Sequence, residues 1–218
     1  MISKILVALR SFLFCWKFMS FRQALKRPVQ IPWNMKIILG KNAQLRISCK
    51  ELSPYMIKLG FIGAKFSPPN RPLLYIGDEA KFDLSDNVIF GNGCIIWIDS
   101  KAEMKVGESF YCNANCTFRC SSRITLEDKV LMGWNVFLNT TDGHRLEIDG
   151  ETKNNEGEIH IGYHSWVASD TIIGKGVAIG NDCVVAQRSL VNRSFCDSNL
   201  LIAGIPAKIV RKNVHRLD

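Results

Sequence analysis

The chain has 218 residues, of which 47 % are hydrophobic, and its 28 basic and 20 acidic side chains give a formal net charge of +8. This length fits one large domain, alone or with an appendage, and the hydrophobic content is sufficient for a substantial core. The eight cysteines include no CxxC pair, which excludes the spacing of zinc fingers.

The positive charge is concentrated at the N-terminus, where residues 1–50 contain ten lysines and arginines and no acidic residue. The stretch "KILVALRSFLFCWKFM" in this region predicts a helix. One face of the helix carries large apolar side chains: Ile5, Leu9, Phe12, Leu13 and Trp16. Further apolar residues lie on the opposite face, so the helix is not cleanly amphipathic.

Arg10 and Lys17 interrupt this apolar run, which makes it too short to span a bilayer. No small-residue cleavage site follows it, so it is a poor signal peptide. Two interpretations remain open. The helix packs against the body of the protein or a neighbouring subunit, or it makes a peripheral contact with an anionic membrane surface.

The rest of residues 1–75 shows no regular pattern, and we expect irregular strands there as part of a basic N-terminal region. The segment "KIILGKNAQLRIS" is strand-like. It either begins the stack of strands predicted for the following residues or forms a separate lid.

From residue 76 the sequence repeats every six residues. The first positions are Ile76, Phe82, Val88, Cys94, Ser100, Val106, Cys112, Phe118, Ile124, Val130 and Val136, with Ser100 as the exception, and the rhythm later resumes at Ile161, Val167, Ile173, Ile179, Val185 and Val191. This period fits neither an α-helix nor ordinary alternating strands, and it predicts a β-solenoid.

In such a solenoid three six-residue units form one triangular coil, giving about 3.7 coils before the break and about two after it. The aliphatic first residue points inward, and a small fifth residue such as Ser165 or Thr171 fills the interior beside it. Gly or Ala in the second position is expected at a sharp corner. We therefore predict an all-β domain over residues 76–218, with an inserted loop at 142–160 and a C-terminal tail.

Cys112, Cys116 and Cys120 are spaced four apart, which on a helix would favour a metal site. The six-residue rhythm instead puts them on β coils, with Cys112 and Cys116 pointing inward. We interpret them as buried free thiols, which fits a reducing compartment and requires no metal.

The break in the rhythm contains "FLNTTDGHRLEIDG", residues 137–150, in which His144 stands among polar and acidic residues. The flat strands of a solenoid leave little room for a reactive side chain, whereas catalytic residues are often carried on loops fixed to a rigid scaffold. Imidazole changes its protonation near neutral pH, as a general base must. Asp142 or Glu147 could orient the ring, as the third member of a catalytic triad does.

The repeats, the His144 loop, "IGYHSWVASDTIIGKGVAIGNDCVV" and "LIAGIPAKIV" together resemble the hexapeptide-repeat acyltransferases. That family folds as a left-handed β-helix and transfers acetyl groups from acetyl-coenzyme A, and the likeness covers residues 76–211. The stretches "MSFRQALKRP", "MIKLGF" and "LMGWNVFLNTTDGH" more loosely resemble enzymes that O-acetylate bacterial capsule or lipopolysaccharide sugars. The resemblance implies a left-handed parallel β-helix and transfer to a sugar hydroxyl of a surface polysaccharide or its precursor.

The resemblance also implies roles for individual residues. His144 would be the general base, and Asn139 would contact the acceptor or the developing oxyanion. The residues implied to bind acetyl-coenzyme A are Trp166, Ser169, Gln187, Asn192 and Arg193, with Lys208 and Arg211 near its phosphates. A flat indole and several cations suit this long, anionic and partly apolar ligand. Ala168 replaces a glycine that is usual in the family.

Other functions remain open on the sequence alone. The same fold could acetylate the nitrogen of a nucleotide-linked amino sugar. A zinc hydratase would use three histidines, here His144, His160 and His164, but the last two are one residue too close for that family. A non-catalytic scaffold would have no need for the interrupting loop.

The resemblance further implies a homotrimer with three cofactor sites between its subunits. Each site would take His144 from one chain and some cofactor contacts from its neighbour. We expect a cytoplasmic protein, with the inner face of the membrane as the alternative location, and no nucleic-acid partner.

Overall fold

The computed structural model describes residues 2–61 and 70–217. The helices in these ranges are α1 (Ile2–Phe18) and α2 (Phe21–Leu25). The first strands are β1 (Val29–Gln30), β2 (Lys36–Leu39), β3 (Gln44–Ile47), β4 (Ile57–Phe61), β5 (Leu73–Ile76), β6 (Lys81–Leu84), β7 (Val88–Gly91), β8 (Ile95–Ile98), β9 (Glu103–Val106), β10 (Tyr111–Cys112), β11 (Thr117–Cys120) and β12 (Arg123–Leu126). The later strands are β13 (Leu131–Met132), β14 (Phe137–Asn139), β15 (Leu146–Ile148), β16 (Glu151–Lys153), β17 (Ile159–Ile161), β18 (Trp166–Val167), β19 (Ile172–Ile173), β20 (Ala178–Ile179), β21 (Val184–Val185), β22 (Leu190–Val191), β23 (Leu200–Gly204) and β24 (Ala207–Lys212).

Three sheets form the sides of a triangular stack. Sheet A has the order β1-β4-β7-β10-β13-β18-β21-β23-β24, sheet B the order β2-β5-β8-β11-β14-β19-β22, and sheet C the order β3-β6-β9-β12-β17-β20. The chain passes from sheet A to B to C in each coil. Within these three sheets all neighbouring strands pair in parallel, except for β23 with β24. The predicted parallel β-solenoid is confirmed.

The stack begins well before residue 76. Lys36 pairs with Leu73 in sheet B, and Gln44 pairs with Lys81 in sheet C. The segment "KIILGKNAQLRIS" therefore begins the stack and is not a lid. This moves the start of the coils from residue 76 to Val29, because the pairing continues where the six-residue rhythm does not.

The inward positions agree with the rhythm. Every predicted first residue of a unit is at most 1 % exposed, except Ser100, which lies at the tip of an exposed turn. The small fifth residues Ser165, Thr171 and Ser189 are also buried, and Ser165 Oγ accepts from Cys183 N at 3.0 Å and donates to Gly180 O at 2.9 Å. These bonds satisfy hydroxyl groups that the narrow interior would otherwise leave unpaired.

The coils are not all built from three six-residue units, which corrects the predicted coil count. Only the late coils, such as the one that joins Ile172 to its partner Leu190, have that length. The earlier coils are longer, since Leu73 pairs with Ile95 and Ile95 pairs in turn with Thr117. A side that is longer by an even number of positions keeps the same alternation of inward and outward side chains, so the pattern survives in the wider coils.

Side-chain size follows the width of the coil. The wide coils are filled by fully buried aromatic rings, with the Phe90 centroid 5.1 Å from that of Phe110 and 5.3 Å from that of Phe118. The narrow coils contain Ile, Val, Ser and Thr in equivalent places. Close packing of the interior requires this match.

The outer faces of the three sheets differ. Sheet C carries charges of alternating sign, where Arg123 lies 3.5 Å from Glu103 and 3.2 Å from Glu158. The outward rows of sheets A and B are largely apolar, with Ile89, Tyr111, Leu131, Trp166, Val184 and Leu201 in register on A, and Leu73, Ile95, Thr117, Phe137, Ile172 and Leu190 on B. Sheet C is thus suited to solvent, and sheets A and B to further packing.

The first coil is covered by α1, which packs against β1 and β3. Ser11, Phe14 and Cys15 are buried there, and Ser11 Oγ accepts from Ile31 N at 2.9 Å. This confirms that α1 packs against the body of the protein. Neither helix in the described residues has the length and apolar character needed to cross a bilayer.

Candidate active site

The predicted loop leaves the stack at the corner between sheets B and C, after β14, and returns at β17. It is a β-hairpin in which Leu146 pairs with Lys153, and its tip is formed by Asp149 and Gly150 at positive φ. That dipeptide favours a tight two-residue hairpin turn. Residues 142–150 are all exposed, so the hairpin projects away from the coils.

The base of the hairpin is tied to the coils on either side of it. Thr140 is fully buried, and its Oγ1 accepts from Ser121 N at 2.7 Å. The Asp142 carboxylate forms an ion pair with Lys175 Nζ at 2.6 Å, and the same ammonium group donates to Asn154 O. Asp142 therefore holds the base of the loop, which differs from its expected role of orienting the His144 ring.

His144 lies on the exposed part of the loop, directly after Gly143 at φ 80°. Within residues 2–61 and 70–217 no side chain hydrogen-bonds to its ring. Asn139 lies at the exit of β14, where its Nδ2 donates to Thr141 O at 2.6 Å and its Oδ1 accepts from Thr141 N at 3.4 Å. Asn139 thus shapes the turn that leads to His144.

A groove of about 550 Å³ runs along the outer face of sheet A, beside its corner with sheet B. The residues around it include Asn113, Leu131, Trp134, Trp166, Ser169, Val184, Gln187 and Leu201. The structure therefore brings together three of the predicted cofactor residues, namely Trp166, Ser169 and Gln187. Trp134 also lines the groove. It lies in the stretch "LMGWNVFLNTTDGH", but the sequence does not predict a cofactor contact for it.

Ser169 is positioned by the neighbouring coil. A Cβ on Gly133 would lie 2.5 Å from Ser169 Oγ, so glycine there lets the two turns approach. As a result Ser169 Oγ accepts from Trp134 N at 3.0 Å. Ala168, which replaces the usual glycine, is nearly buried and lines the same groove.

The remaining predicted cofactor residues lie in two other places. Arg211 pairs with Leu201 at the end of the outward row of sheet A, and Lys208 pairs with Ala203 on the same exposed strand, β24. Asn192 and Arg193 follow β22 at the corner between sheets B and C, where Arg193 lies over the Phe195 ring at 5.3 Å. They therefore share a corner with the His144 loop rather than with the Trp166 groove.

A second outward row leads to the loop across sheet B. Tyr75, Trp97, Arg119 and Asn139 are in register on consecutive coils. The Tyr75 and Trp97 rings stack at 4.3 Å, and the Trp97 indole donates to Asp99 at 2.6 Å. The six-residue rhythm could not reveal this row, because its members are separated by the longer coils and not by a multiple of six.

Among the described residues, one group of three His, Cys, Asp or Glu side chains has its ligand atoms within 4.8 Å of one another, and it consists of Cys94, Cys112 and Cys116. The three thiols are buried, and both Cys94 and Cys116 donate to Asn113 O at 3.4 Å. Burial raises the pKa of Cys94 and of Cys112, whereas hydrogen bonds with these two thiols lower the pKa of Cys116. The cluster is therefore best described as core thiols that pack and hydrogen-bond inside the coils.

The histidines of the alternative zinc site do not meet within one chain. His164 Nδ1 lies 2.8 Å from Asp182 Oδ1, on the corner between sheets C and A. His160 is exposed on β17 in sheet C, and His144 is on the loop. This arrangement gives no support to the three-histidine alternative.

About half of the sequence is similar to acetyltransferases, although no protein-family model matches the chain. It is 30 % identical over 120 residues to the galactoside O-acetyltransferase of Escherichia coli (strain K12). The aligned region covers 54 % of this chain and 58 % of that protein. The chain thus spans little more than half the length of the curated relatives it matches.

The fold is also similar to solved structures. The polySia-specific acetyltransferase NeuO superposes with a TM-score of 0.56 at 19 % identity, covering 84 % of this chain and 83 % of that one. A galactoside acetyltransferase in complex with coenzyme A superposes with a TM-score of 0.45 at 20 % identity, covering 94 % and 80 % of the two chains. The likeness to NeuO confirms the predicted left-handed parallel β-helix. The sequence similarity to galactoside O-acetyltransferase confirms the resemblance to acetyltransferases of the hexapeptide-repeat type.

Proposed function

We propose that this protein transfers an acetyl group from acetyl-coenzyme A to a sugar hydroxyl of a bacterial surface polysaccharide or its precursor. The observation that carries the proposal is the row Leu131, Trp166, Val184, Leu201 and Arg211, an apolar track along sheet A that ends in a cation. The similarity to a galactoside O-acetyltransferase supports the reaction class.

The groove suits the cofactor along its length. Trp166 is 37 % exposed and offers an apolar surface to the pantetheine arm, while Ser169 and Gln187 offer hydrogen-bonding groups beside it. Arg211 and Lys208 on β24 supply positive charge for the phosphates at the end of the track.

The chemistry needs one general base. We assign this role to His144, which would take the proton of the acceptor hydroxyl as its oxygen attacks the thioester carbonyl. The tetrahedral intermediate then collapses, the carbon–sulfur bond breaks, and the imidazolium returns the proton to the departing thiolate. The products are the acetyl ester and coenzyme A.

One chain does not bring the base to the groove, because the loop and the groove occupy different corners of the triangle. A homotrimer would join them, with the groove of one protomer facing the loop of the next. The apolar outer rows of sheets A and B support this assembly, since both need covering. Asn192 and Arg193, at the corner of the loop, would then contact a cofactor held mainly by the neighbour.

The acceptor would approach His144 along the row Tyr75, Trp97, Arg119 and Asn139. Half-exposed aromatic rings provide apolar area for sugar rings, and Arg119 and Asn139 provide hydrogen bonds. The Asn139 amide would also donate a hydrogen bond to the oxyanion of the tetrahedral intermediate, once it releases its hydrogen bonds to the Thr141 backbone. We place the protein in the cytoplasm, where its buried thiols stay reduced.

Incubation with labelled acetyl-coenzyme A and a panel of glycans and amino sugars, read by mass spectrometry, tests the proposal. We expect acetyl esters on a glycan hydroxyl, which are released by mild base. Base-stable amides on an amino sugar would instead support the N-acetyltransferase alternative. No transfer to any acceptor, together with no binding of coenzyme A, would support the scaffold alternative and contradict the proposal.

The cofactor assignment predicts a specific kinetic effect. Replacing Arg193 and Lys208 together by Ala should raise the KM for acetyl-coenzyme A and leave most of kcat, because phosphate contacts stabilise ground and transition states alike. Replacing Lys81 and Lys105, on strands β6 and β9 of sheet C, by Ala removes the same charge away from the groove and should leave KM unchanged. An unchanged KM in the first variant would show that the nucleotide end lies elsewhere.

A further inference from the structure

The end of the molecule covered by α1 presents a continuous apolar surface. The large apolar side chains on the outer face of α1 and α2 are each about half exposed: Ile5, Leu6, Leu9, Leu13, Trp16, Phe21 and Leu25. Phe21 packs against Phe12 and Trp16, with both centroid distances at 5.7 Å. We call the half-exposed residues the N-terminal apolar face.

This face is held in a fixed orientation. The opposite side of α1 is buried against the first coil through Ser11, Phe14 and Cys15. The α2 helix begins with a capping box, in which Ser20 and Gln23 satisfy each other's backbone groups. Because the buried side already packs on the protein, the exposed side cannot turn inward to hide its apolar residues.

A basic cavity of about 680 Å³ adjoins the face at α2. Phe18 and Met19 form part of its wall, and its cations are Arg22, Lys26, Arg46 and Lys50, all exposed. Glu51 is the acidic residue on its rim, and it lies 3.7 Å from Lys26. Arg22 and Lys26 each follow an exposed apolar residue, so apolar and basic groups alternate along α2 and its C-terminal end.

We propose that this end of the molecule docks onto an anionic lipid bilayer. The N-terminal apolar face would enter the boundary between headgroups and acyl chains, and the basic cavity would receive acidic lipid headgroups. This goes beyond acetyl transfer and does not depend on it. It would fix the long axis of the coils relative to the membrane.

The charge pattern favours a bilayer over a second copy of the chain. Residues 1–50 contain ten cations and no acidic residue, so two copies joined through this face would bring like charges together. An anionic membrane complements the cations and accepts the apolar side chains at the same time. A single apolar helix face gives weak binding, which the additional charges strengthen.

Vesicle sedimentation with the purified full chain tests the proposal. We expect the protein to sediment with phosphatidylcholine vesicles that contain phosphatidylglycerol, to bind pure phosphatidylcholine at least about tenfold more weakly, and to be released by salt. The variant Leu9→Glu/Leu13→Glu should lose at least about tenfold in binding. Arg22→Gln/Lys26→Gln should lose the preference for anionic vesicles, whereas the control Lys101→Gln/Lys105→Gln should keep it.

Circular dichroism and acetyl transfer to a soluble acceptor should be unchanged in the Leu9→Glu/Leu13→Glu variant, which separates lost docking from lost folding. Equal sedimentation of the wild type with and without phosphatidylglycerol would overturn the proposal. So would a Leu9→Glu/Leu13→Glu variant that keeps its vesicle binding but changes its mass in light scattering, because the face would then be a contact between protein chains.

Discussion

At the scale of single residues, the side chains at the base of the hairpin fix the direction in which the hairpin projects. They form no hydrogen bond with the His144 ring, which stays exposed. Asp142 pairs with Lys175, and Asn139 bonds to the backbone of Thr141. Neither spacing nor residue type could show this, because Lys175 comes from the next coil and the pairing depends on where the loop crosses it. The loop is thus rigid at its base and open where the imidazole stands.

The role of His144 predicts a large loss of turnover on mutation. His144→Ala should lower kcat by about 10²–10⁴-fold, since the hydroxyl would attack without a base. His144→Asn keeps the size but not the basicity and should be nearly as damaging. Steady-state kinetics on the acetylated acceptor provide the measurement.

His160→Ala is the matched control, because His160 is also exposed but lies on sheet C. It should retain near wild-type turnover, and all three variants should keep the oligomeric state. Turnover above roughly a tenth of wild type in His144→Ala would mean that the loop serves recognition instead.

The thiols give a second prediction at this scale. Burial raises the pKa of Cys15 to about 11 and that of Cys120 to about 12, and reaction with a disulfide reagent needs an accessible thiolate. At neutral pH the native protein should react quickly at Cys196, which is exposed, and slowly at Cys49, which is half-buried. All eight should react after unfolding. Fast labelling at the buried cluster, located by peptide mapping, would contradict the described core.

At the scale of elements, glycine in the second position of a unit serves close approach between coils rather than a positive φ. A Cβ on Gly162 would lie 2.6 Å from Gly180 C, and one on Gly180 would lie 2.5 Å from Asp197 O. The sharp corners are instead formed by residues such as Asp170 and Asp182 at positive φ. Glycine is therefore required at Gly162 and Gly180, but for a different reason from the one expected.

This difference predicts unequal effects of the same mutation. Gly162→Ala and Gly180→Ala should each lower the free energy of unfolding by about 1–3 kcal/mol, because backbone atoms must move. Gly174→Ala is the internal control, since its nearest neighbour would be Val191 O at 3.5 Å, an ordinary contact. It should be neutral or slightly stabilising. Urea unfolding measures all three, and equal losses would mean that the coils are looser than described.

At the scale of the whole molecule, the alternation of inward and outward residues was predictable and the circumference of the coils was not. Val88 and Val106 could be placed inside because the rhythm advances by an even number of positions. The choice between shorter and longer sides depends on contacts with the next coil, which no local pattern records. The position of the groove relative to the loop depends on the lengths of the coil sides. The sequence could therefore identify site residues, but it could not predict which of them lie close together in space.

The unequal faces of the stack predict the quaternary structure. Sheets A and B present apolar rows and sheet C presents charges, so two sides should be covered and one should face solvent. We expect light scattering at micromolar concentration to give about three times the chain mass of 24.6 kDa. Ile172→Glu, on the exposed row of sheet B, should lower that mass and with it the activity. A monomeric wild type would count against a site shared between protomers.

The narrowing of the coils toward the C-terminus has a consequence for how this chain can lengthen. Tandem duplication of one narrow coil within β18–β22 would place each copied aliphatic residue in the same sheet as the residue it copies. Val167 and Val185, which pair in sheet A on consecutive coils, already have this relationship. The same segment inserted between β8 and β11 would be shorter than both its neighbours and would leave cavities around Phe90 and Phe118. Tandem duplication of a narrow coil is therefore compatible with the fold in the C-terminal coils and incompatible with it in the wide coils.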